Sequence, residues 1–416
     1  MGSTLTTFDG LLKERYYDSS IVEKLIYPDN VLLGMLEKKG DTGMQGDVIP
    51  VPIVYGFPQG IGKVFSTAQS RATNLKNSKW QITAGEYYGV VHIGDKVLMA
   101  SRTNAGAFLE NKQIEIDGLY EQMAENMSLY LWGNGGNALG RRQSLSGNTV
   151  TLTNSADAAN FEVGMSIVAS AGDGSSSGHS LLTNSDTVTV EAVNRATGEI
   201  ELSDATDIGS FADGDFLFRE SDFKGATSED IVVGIQAFIT ATDSPPALWG
   251  VSAATRATDV QRWSGCRVPE AYNTGSIEER LKRCVAWMVG RFKAKAPDAV
   301  FLHPEDFQKL DTLMTSRGQR DLERSSTTFG YEGIRMASPG GKLTIYADRH
   351  CPLGHAFFMR MKNHWITSMG ELFHPQNKDG FQMLRRATTT DYEVRVISYP
   401  AYCNNGPLFF GRVNLY

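Results

Sequence analysis

The chain has 416 residues, 41% of them hydrophobic, with 42 glycines and a net charge of −7. That composition fits a loop-rich folded protein of two or three domains and excludes a disordered chain. The longest apolar stretch, Ile231–Ala241 (IVVGIQAFITA), is shorter than the ~18 residues of a membrane-spanning helix. The first residues, MGSTLTTFDGLLKERYY, lack the charged-then-apolar pattern of a secretion signal. Cys266, Cys284, Cys351 and Cys403 are widely spaced with no CxxC pair, as expected for buried free thiols.

Residues 1–44 read as an N-terminal arm. An amphipathic piece (Leu11, Leu12, Tyr16, Ile21, Val22, Leu25, Ile26) stops at Pro28, and a second short helix is predicted over NVLLGMLEKKG. Residues 45–100 read as a long β-hairpin. Val48, Pro50 and Pro52 alternate with Ile49, Val51 and Ile53, and two prolines without N–H donors place that strand at an edge. The loop between the strands reads as polar, and its charges are Lys63, Arg71 and Lys76 with no acid. A hairpin this long cannot bury both faces in its own chain, so it is expected to lie across a neighbour.

Thr103–Trp132 is predicted to be one helix, about 45 Å long at ~1.5 Å per residue. Phe108, Ile116, Leu119, Met123, Met127, Tyr130 and Leu131 recur at helical spacing. Thr103 or Asn104 is the candidate cap, Gly133 the candidate left-handed stop, and Gly118 an unusual mid-helix residue that implies a bend or a close approach.

Residues 141–222 change character. They contain no Lys, Cys, Pro or Trp, and thirteen acids stand against four arginines, a net −9; the rest of the chain is +2. An offset of 50 aligns TVTLTNSADAANFEVGMSIV (149–168) on EIELSDATDIGSFADGDFLF (199–218), matching Leu152/Leu202, Asp157/Asp207, Phe161/Phe211 and Gly164/Gly214. With Asp186–Asn194 between the copies, the pattern predicts an inserted six-stranded β-barrel. Such an acidic lobe on a near-neutral body is not a dedicated nucleic-acid binder.

Residues 223–416 read as α+β. Helices are predicted over SEDIVVGIQAFIT, capped by Ser228, and over SIEERLKRCVAWMVGRFKAKAP. The latter has a Ser276/Glu279 capping box, a stripe of Ile277, Leu281, Val285, Met288 and Phe292, and Arg291, Lys293 and Lys295 at its negative end before Pro297. AVFLH is a strand, PEDFQKLDTLM a helix opened by Pro304, and KLTIYAD, HAFFMRMK, HWITSM, YEVRVISYPAY and PLFFGRVNLY are strands.

No motif supports catalysis. GIGKV (Gly60–Val64) has Phe57 and Val64 where a phosphate loop needs Gly and Ser/Thr. GSSSGH (Gly174–His179) lacks the strand-to-helix context of a nucleophile elbow. His350, Cys351 and His355 flank a Pro-Leu-Gly turn and have no fourth ligand at metal spacing. Arg141-Arg142 and Arg385-Arg386 read as surface ion-pair partners or, alternatively, as contacts to DNA.

The order of arm, hairpin, long helix, α+β lobe and closing strands resembles the HK97-type major capsid proteins of tailed bacteriophages. The stretches that carry the likeness are ALWGVSAATRATDVQRWSG (Ala247–Gly265, with Gly250, Arg256, Thr258 and Trp263), APDAVFLHPEDFQKL (Ala296–Leu310), GKLTIYADRHCPLGHAFFM and YEVRVISYPAYCNNGPLFFGRVNL. The resemblance implies an α+β, HK97-like capsid fold. Its parts would be the N-arm (1–44), the extended β-hairpin loop with peripheral strands (45–100) and the spine helix (101–140). An inserted small β-barrel (141–222), a mainly axial domain (223–345) and closing strands (346–416) would follow. It further implies a non-enzymatic shell subunit forming hexamers and pentamers around double-stranded DNA, without cofactor, metal or membrane. The shell would assemble in the host bacterial cytoplasm and end as the virion capsid. Portal, decoration and separate scaffolding proteins are the implied partners, the scaffolding role falling to another chain or to the insertion. Lys63, Arg71, Lys76 and Trp80 are the candidate inter-subunit contacts. An encapsulin-like compartment shell is the alternative in the same fold, and a phage-associated hydrolase the alternative from another class.

Overall fold

The computed structural model describes residues 30–40, 46–94, 105–176, 178–182, 187–225, 231–240, 245–316, 322–324, 332–339, 341–376, 384–385 and 391–416. The amphipathic piece before Pro28, the Thr103 or Asn104 cap and the Ser228 cap lie outside these residues.

The first helix, α1 (Val31–Met35), is one turn long, and the predicted continuation through LEKK is instead a strand, β1 (Glu37–Lys39). Leu36 turns the backbone to extended geometry, and Glu37–Lys39 pair in parallel with Trp365–Thr367. Leu32 and Leu33 are fully buried, and the Leu32 N–H donates to the Asp348 carboxylate at 3.0 Å. This part of the segment therefore belongs to the body of its own chain.

The hairpin is shorter than predicted. β2 (Val48–Gly56) pairs with β3 (Lys76–Thr83) as an isolated two-stranded ribbon, with the small helix α2 (Phe65–Ser70) in its tip. The second half of the expected return, β4 (Tyr87–Ile93), leaves the ribbon and pairs over seven residues with a late strand, Tyr392–Ser398. The turn between them is held from outside, because Gly85 N–H donates to the Pro400 carbonyl.

α3 (Ala105–Trp132) is the predicted spine, continuous over 28 residues. Ile116, Tyr120, Met123, Met127, Tyr130 and Leu131 are its buried stripe. It lies flat on β4 because Gly89 has no side chain there: a Cβ would stand 2.4 Å from Met123 Sδ. Gly118, by contrast, has open space where a Cβ would be, so close packing within the chain is not its role. The helix stop also differs from expectation. Gly133 closes the last turn through its N–H to the Tyr130 carbonyl, and the left-handed residues are Gly135 (φ 87°) and Asn137 (φ 66°).

Six strands then close the barrel: β5 (Gly140–Ser146), β6 (Thr149–Leu152), β7 (Ser166–Ser170), β8 (Val188–Asn194), β9 (Glu199–Leu202) and β10 (Phe216–Arg219), in the order β10-β5-β6-β9-β8-β7. The repeat is structural. Asn154 and Asp204 each cap a 3-10 turn, and Gly164 (φ 87°) and Gly214 (φ 100°) both adopt positive φ. Val150, Leu152, Ile200 and Leu202 fill the interior, while Glu199 and Glu201 alternate outward.

After the barrel, the predicted helix over 228–240 is reduced to α4 (Ile235–Phe238). The reason is the end of the spine. The chain crosses its terminal carbonyls at Gly234, where a Cβ would lie 2.3 Å from Tyr130 O, 2.5 Å from Leu131 O and 2.6 Å from Gly133 O. Gln236 then donates its N–H to Gly133 O and its Nε2 to Trp132 O (2.7 Å), satisfying carbonyls that the helix leaves open.

The rest of the lobe comprises α5 (Ala253–Arg256), α6 (Val260–Ser264), β11 (Cys266–Arg267), α7 (Ile277–Gly290), β12 (Ala299–Leu302), α8 (Pro304–Ser316), β13 (Leu322–Arg324), β14 (Glu332–Ser338), β15 (Gly341–Ala347), β16 (His355–Met359), β17 (His364–Ser368), β18 (His374–Pro375), β19 (Leu384–Arg385), β20 (Tyr392–Ser398), β21 (Pro400–Asn404) and β22 (Gly411–Asn414). In the capping box of α7, Glu279 accepts from the Ser276 N–H at 3.1 Å. The helix ends earlier than predicted, at Gly290, so Arg291, Lys293 and Lys295 lie beyond it, with Lys293 itself left-handed (φ 54°).

One seven-stranded sheet, β11-β22-β16-β12-β15-β14-β13, divides the lobe. Val300 and Leu302 face a core shared with α7 and α8, while Phe301 and Phe357 face the spine and meet Trp132 at ring separations of 5.6 and 5.3 Å. All four residues of β12 are buried, as a central strand covered on both faces requires. Gly234→Ala is expected to lower the stability of the whole chain by roughly 2–4 kcal/mol, since three backbone carbonyls must move to admit one methyl group. An unchanged urea midpoint would refute the claim that Gly234 is required at the end of the spine.

Candidate assembly surface

β2 and β3 alternate strictly. Ile49, Val51 and Ile53 face inward with Trp80 and Ile82, while Pro52, Lys79 and Gln81 face out. Trp80 sits opposite Val51 in the register and has no exposed surface. The expectation that Trp80 contacts a neighbouring subunit is therefore corrected, because the pleat turns its ring into the protein. There it makes edge contacts with Trp263 (5.3 Å) and Phe238 (5.8 Å), and the Arg256 guanidinium stands 5.6 Å from its ring centre.

Arg256 is itself fully buried. Its Nη1 donates to Pro246 O at 2.6 Å, and its Nη2 is directed at the carbonyls of Trp263 (3.1 Å), Ala237 (3.4 Å) and Phe238 (3.5 Å). Burial pulls its pKa down to about 10, still far above neutrality, so the group remains a cation held by carbonyl dipoles. The same segment clamps the ribbon from outside, where the Gln81 N–H donates to Trp249 O at 3.0 Å and Gly250 (φ 80°) lies against the Gln81 side chain. Gly250, Arg256 and Trp263, marked in the sequence by their spacing, thus act together to hold the base of the hairpin. Thr258 stays local, with its Oγ1 donating to Thr255 O.

Beyond that anchor the ribbon is uncovered. The sequence reads the tip as polar, but the structure holds out five large apolar side chains: Phe65 (81% exposed), Ile61 (79%), Phe57 (61%), Val64 (56%) and Leu75 (45%). No residue of α2 is buried. Covering each such side chain would be worth about 1.5–3 kcal/mol, so the tip is a candidate contact surface. Lys63, Arg71 and Lys76 are exposed on the same tip. Among the described residues none of the three is ion-paired. Gly60–Val64 forms irregular backbone leading into α2, not a loop between a strand and a long helix.

The other candidate groups serve as structural contacts. Arg141 and Arg142 are used inside the barrel, on Gly214 O (2.7 Å), and on Phe211 O (2.5 Å) and Asp213 (3.0 Å). In the GSSSGH loop, Ser175 Oγ and His179 Nδ1 both approach Asp173, which also accepts from Asn134 at 2.7 Å. Cys351 is buried and its thiol raised. Burial lowers His350 to about 3 and His355 to about 4, with the Arg349 and Arg412 charges adding to the effect. Among the described residues no three His, Cys, Asp or Glu side chains are grouped to hold a metal ion.

A polar cleft of about 380 Å³ separates the barrel from the lobe and is lined by Asn137, Asp157, Gln236, Arg349 and His350 among others. The barrel is tied down at its edge, where Tyr130 donates to Asp222 at 2.5 Å, Arg219 to Asn126 at 3.2 Å and Asn137 to Asp222 O at 2.9 Å.

No protein-family model matches this sequence, and no curated protein matches it. Among solved structures, the capsid asymmetric unit of cyanophage A-1(L) superposes with a TM-score of 0.52 over 93% of each chain at 10% identity. The fold is the HK97-type capsid fold. The holo-SrpI encapsulin complex of Synechococcus elongatus PCC 7942 (TM-score 0.45, 9% identity, 94% and 88% coverage) and the capsid of an empty GTA particle (0.43, 7%, 93% and 96%) are more distant matches. Within this HK97-type fold the two-stranded ribbon is the one large element, among the described residues, whose tip the chain leaves bare.

Trp80→Ala is expected to cost about 3–5 kcal/mol, because the cavity opens between Trp263, Phe238 and Arg256; calorimetry or urea unfolding measures it, and a loss below about 1 kcal/mol would contradict the anchor. Burial raises the Asp157 carboxyl from 3.8 to about 7. Its contribution to stability is therefore fully present below about pH 4 and is lost as the pH rises through 7. Asp157→Asn should accordingly raise the thermal midpoint by an amount that grows from pH 4 to pH 7 and levels off above it, whereas a pH-independent difference would contradict the shift.

Proposed function

We propose that this chain is the major capsid protein of a tailed double-stranded DNA bacteriophage, a structural and non-enzymatic subunit that self-assembles into hexamers and pentamers of an icosahedral head. The observation that carries the reading is the anchored hairpin with its bare apolar, cationic tip on an HK97-type fold. A monomer has no use for five exposed apolar side chains at the end of a ribbon, whereas a shell subunit must present such a surface to the next copy. In this reading Val48–Thr83 is the extended loop, α3 the spine of the peripheral domain, the seven-stranded lobe mainly the axial domain, and the barrel an insertion. Lys63, Arg71 and Lys76 are the contact residues, Trp80 having moved to the anchor. The shell would form in the host bacterial cytoplasm with the scaffolding role taken by a separate protein or by the inserted barrel, receive portal and decoration proteins, and enclose DNA without sequence preference.

Replacing residues 57–75 by an Asn-Gly turn joins Gly56 to Lys76, which are already paired, and keeps the ribbon's register. The variant is expected to match the parent in circular dichroism and to form no particles in negative-stain microscopy, where the parent forms icosahedral shells or capsomers. Normal shells from the variant would sink the loop assignment, and a parent protein that stays monomeric would sink the capsid reading.

A further inference from the structure

The tip and the barrel are complementary surfaces that the single chain does not bring together. From Phe57 to Lys76 there are three cations and no acid, and among the described residues none of the three is ion-paired. On the barrel, Glu199 and Glu201 point outward from β9, and Glu191 is exposed on the adjoining β8, where Ala192 lies opposite Glu201. Thr149 and Thr151 of β6 stand opposite Glu201 and Glu199 and add methyl groups to the same outer face. The barrel cannot neutralise this face itself. It has no lysine, and its four arginines are engaged elsewhere: Arg141 on Gly214, Arg142 on Asp213, Arg195 on Glu162 and Arg219 on Asn126.

We infer that the hairpin tip of one copy docks on the β6–β9–β8 outer face of the barrel of a neighbouring copy, with Lys63, Arg71 and Lys76 meeting Glu191, Glu199 and Glu201. The inference rests on the shell reading above and names the landing surface. Charge complementarity selects the partner, and the exposure of Phe65 and Ile61 shows that the chain's own barrel does not cover the tip. Both surfaces occur once per copy, so every tip has a face to land on, and a head-to-tail contact of this kind forms a ring where the rotation between copies closes. Nucleic acid does not fit as the occupant of the barrel face, because three carboxylates with no cation beside them, among the described residues, repel phosphate.

Two experiments on the full-length protein test this. In the first, Lys63→Glu/Arg71→Glu/Lys76→Glu and Glu191→Lys/Glu199→Lys/Glu201→Lys are made separately and combined, and particle yield is measured by sedimentation and negative stain at low salt. Each triple variant should lose at least ~10-fold in yield while keeping the parent's circular dichroism, and the combined variant should recover it. In the second, wild-type particles assembled from a mixture of isotopically light and heavy chains are treated with a zero-length carbodiimide. Light–heavy cross-links should join Lys63 or Lys76 to Glu191, Glu199 or Glu201. A barrel triple variant that assembles like the parent, or cross-links that run instead to Glu86 beside the exposed Tyr88, would overturn the inference while leaving the shell reading intact. Wild-type protein that forms no particles would remove both.

Discussion

Arg256 is a cation with no exposed surface, and the placement of the most extended part of the molecule depends on it. A buried guanidinium is costly unless acceptors surround its charge. Here the acceptors are main-chain carbonyls from residues 237–238, 246 and 263, three pieces of chain that no single regular element would bring together. Drawing these carbonyls to one point also brings Trp263 and Phe238 around Trp80. The hairpin base is thus held by the carbonyl contacts of Arg256 and by the aromatic packing around Trp80 together. An isolated two-stranded ribbon is marginal by itself, so rigidity at the base is what allows the tip to be presented without support.

The end of the spine is the second fixed point. The last carbonyls of α3 are covered by Gly234 and Gln236, and Trp132 packs between Phe301 and Phe357. Barrel and lobe therefore both start from the same helix terminus. The barrel is attached at its chain entrance and exit by Asn137, Arg219 and Asp222, with a polar cleft on the remaining side. Burial of Asp157 and His350 beside that cleft raises the one pKa and lowers the other, which favours the neutral form of each group.

These two anchors separate what is rigid from what is offered outward. Inside, the seven-stranded sheet is covered on one face by α7 and α8 and on the other by the spine. Outside stand an apolar, cationic tip and an acidic barrel wall, and neither is neutralised by its own chain.

Periodicity and composition settled the local elements. The period of the spine, the alternation of β2, the capping box of α7 and the offset-50 repeat of the barrel are each legible in the sequence because each depends on neighbours within a few residues or on a repeated pattern. The errors fall where a distant segment intervenes. LEKK became a strand because β17 offered an edge, 228–240 lost most of its helix to the carbonyls of the spine, and the hairpin was cut short because β20 captured Tyr87–Ile93. Lys63, Arg71 and Lys76 could be singled out from their charge alone, and the structure puts them on the exposed tip. Trp80 could not be assigned without knowing which face of the ribbon Arg256 and Trp263 would close. The apolar character of the tip was likewise hidden, because Phe57, Ile61, Val64, Phe65 and Leu75 follow no periodic pattern and only the fold shows that they stay exposed, Phe57 with the Arg262 guanidinium 5.2 Å from its ring centre. By itself the sequence determined the spine helix, the alternation of β2, the capped start of α7 and the barrel repeat, since propensity and pattern act locally. Tertiary structure alone decided that Trp80 is buried and that the apolar side chains of the tip stay exposed, since that depends on contacts between residues far apart in the chain.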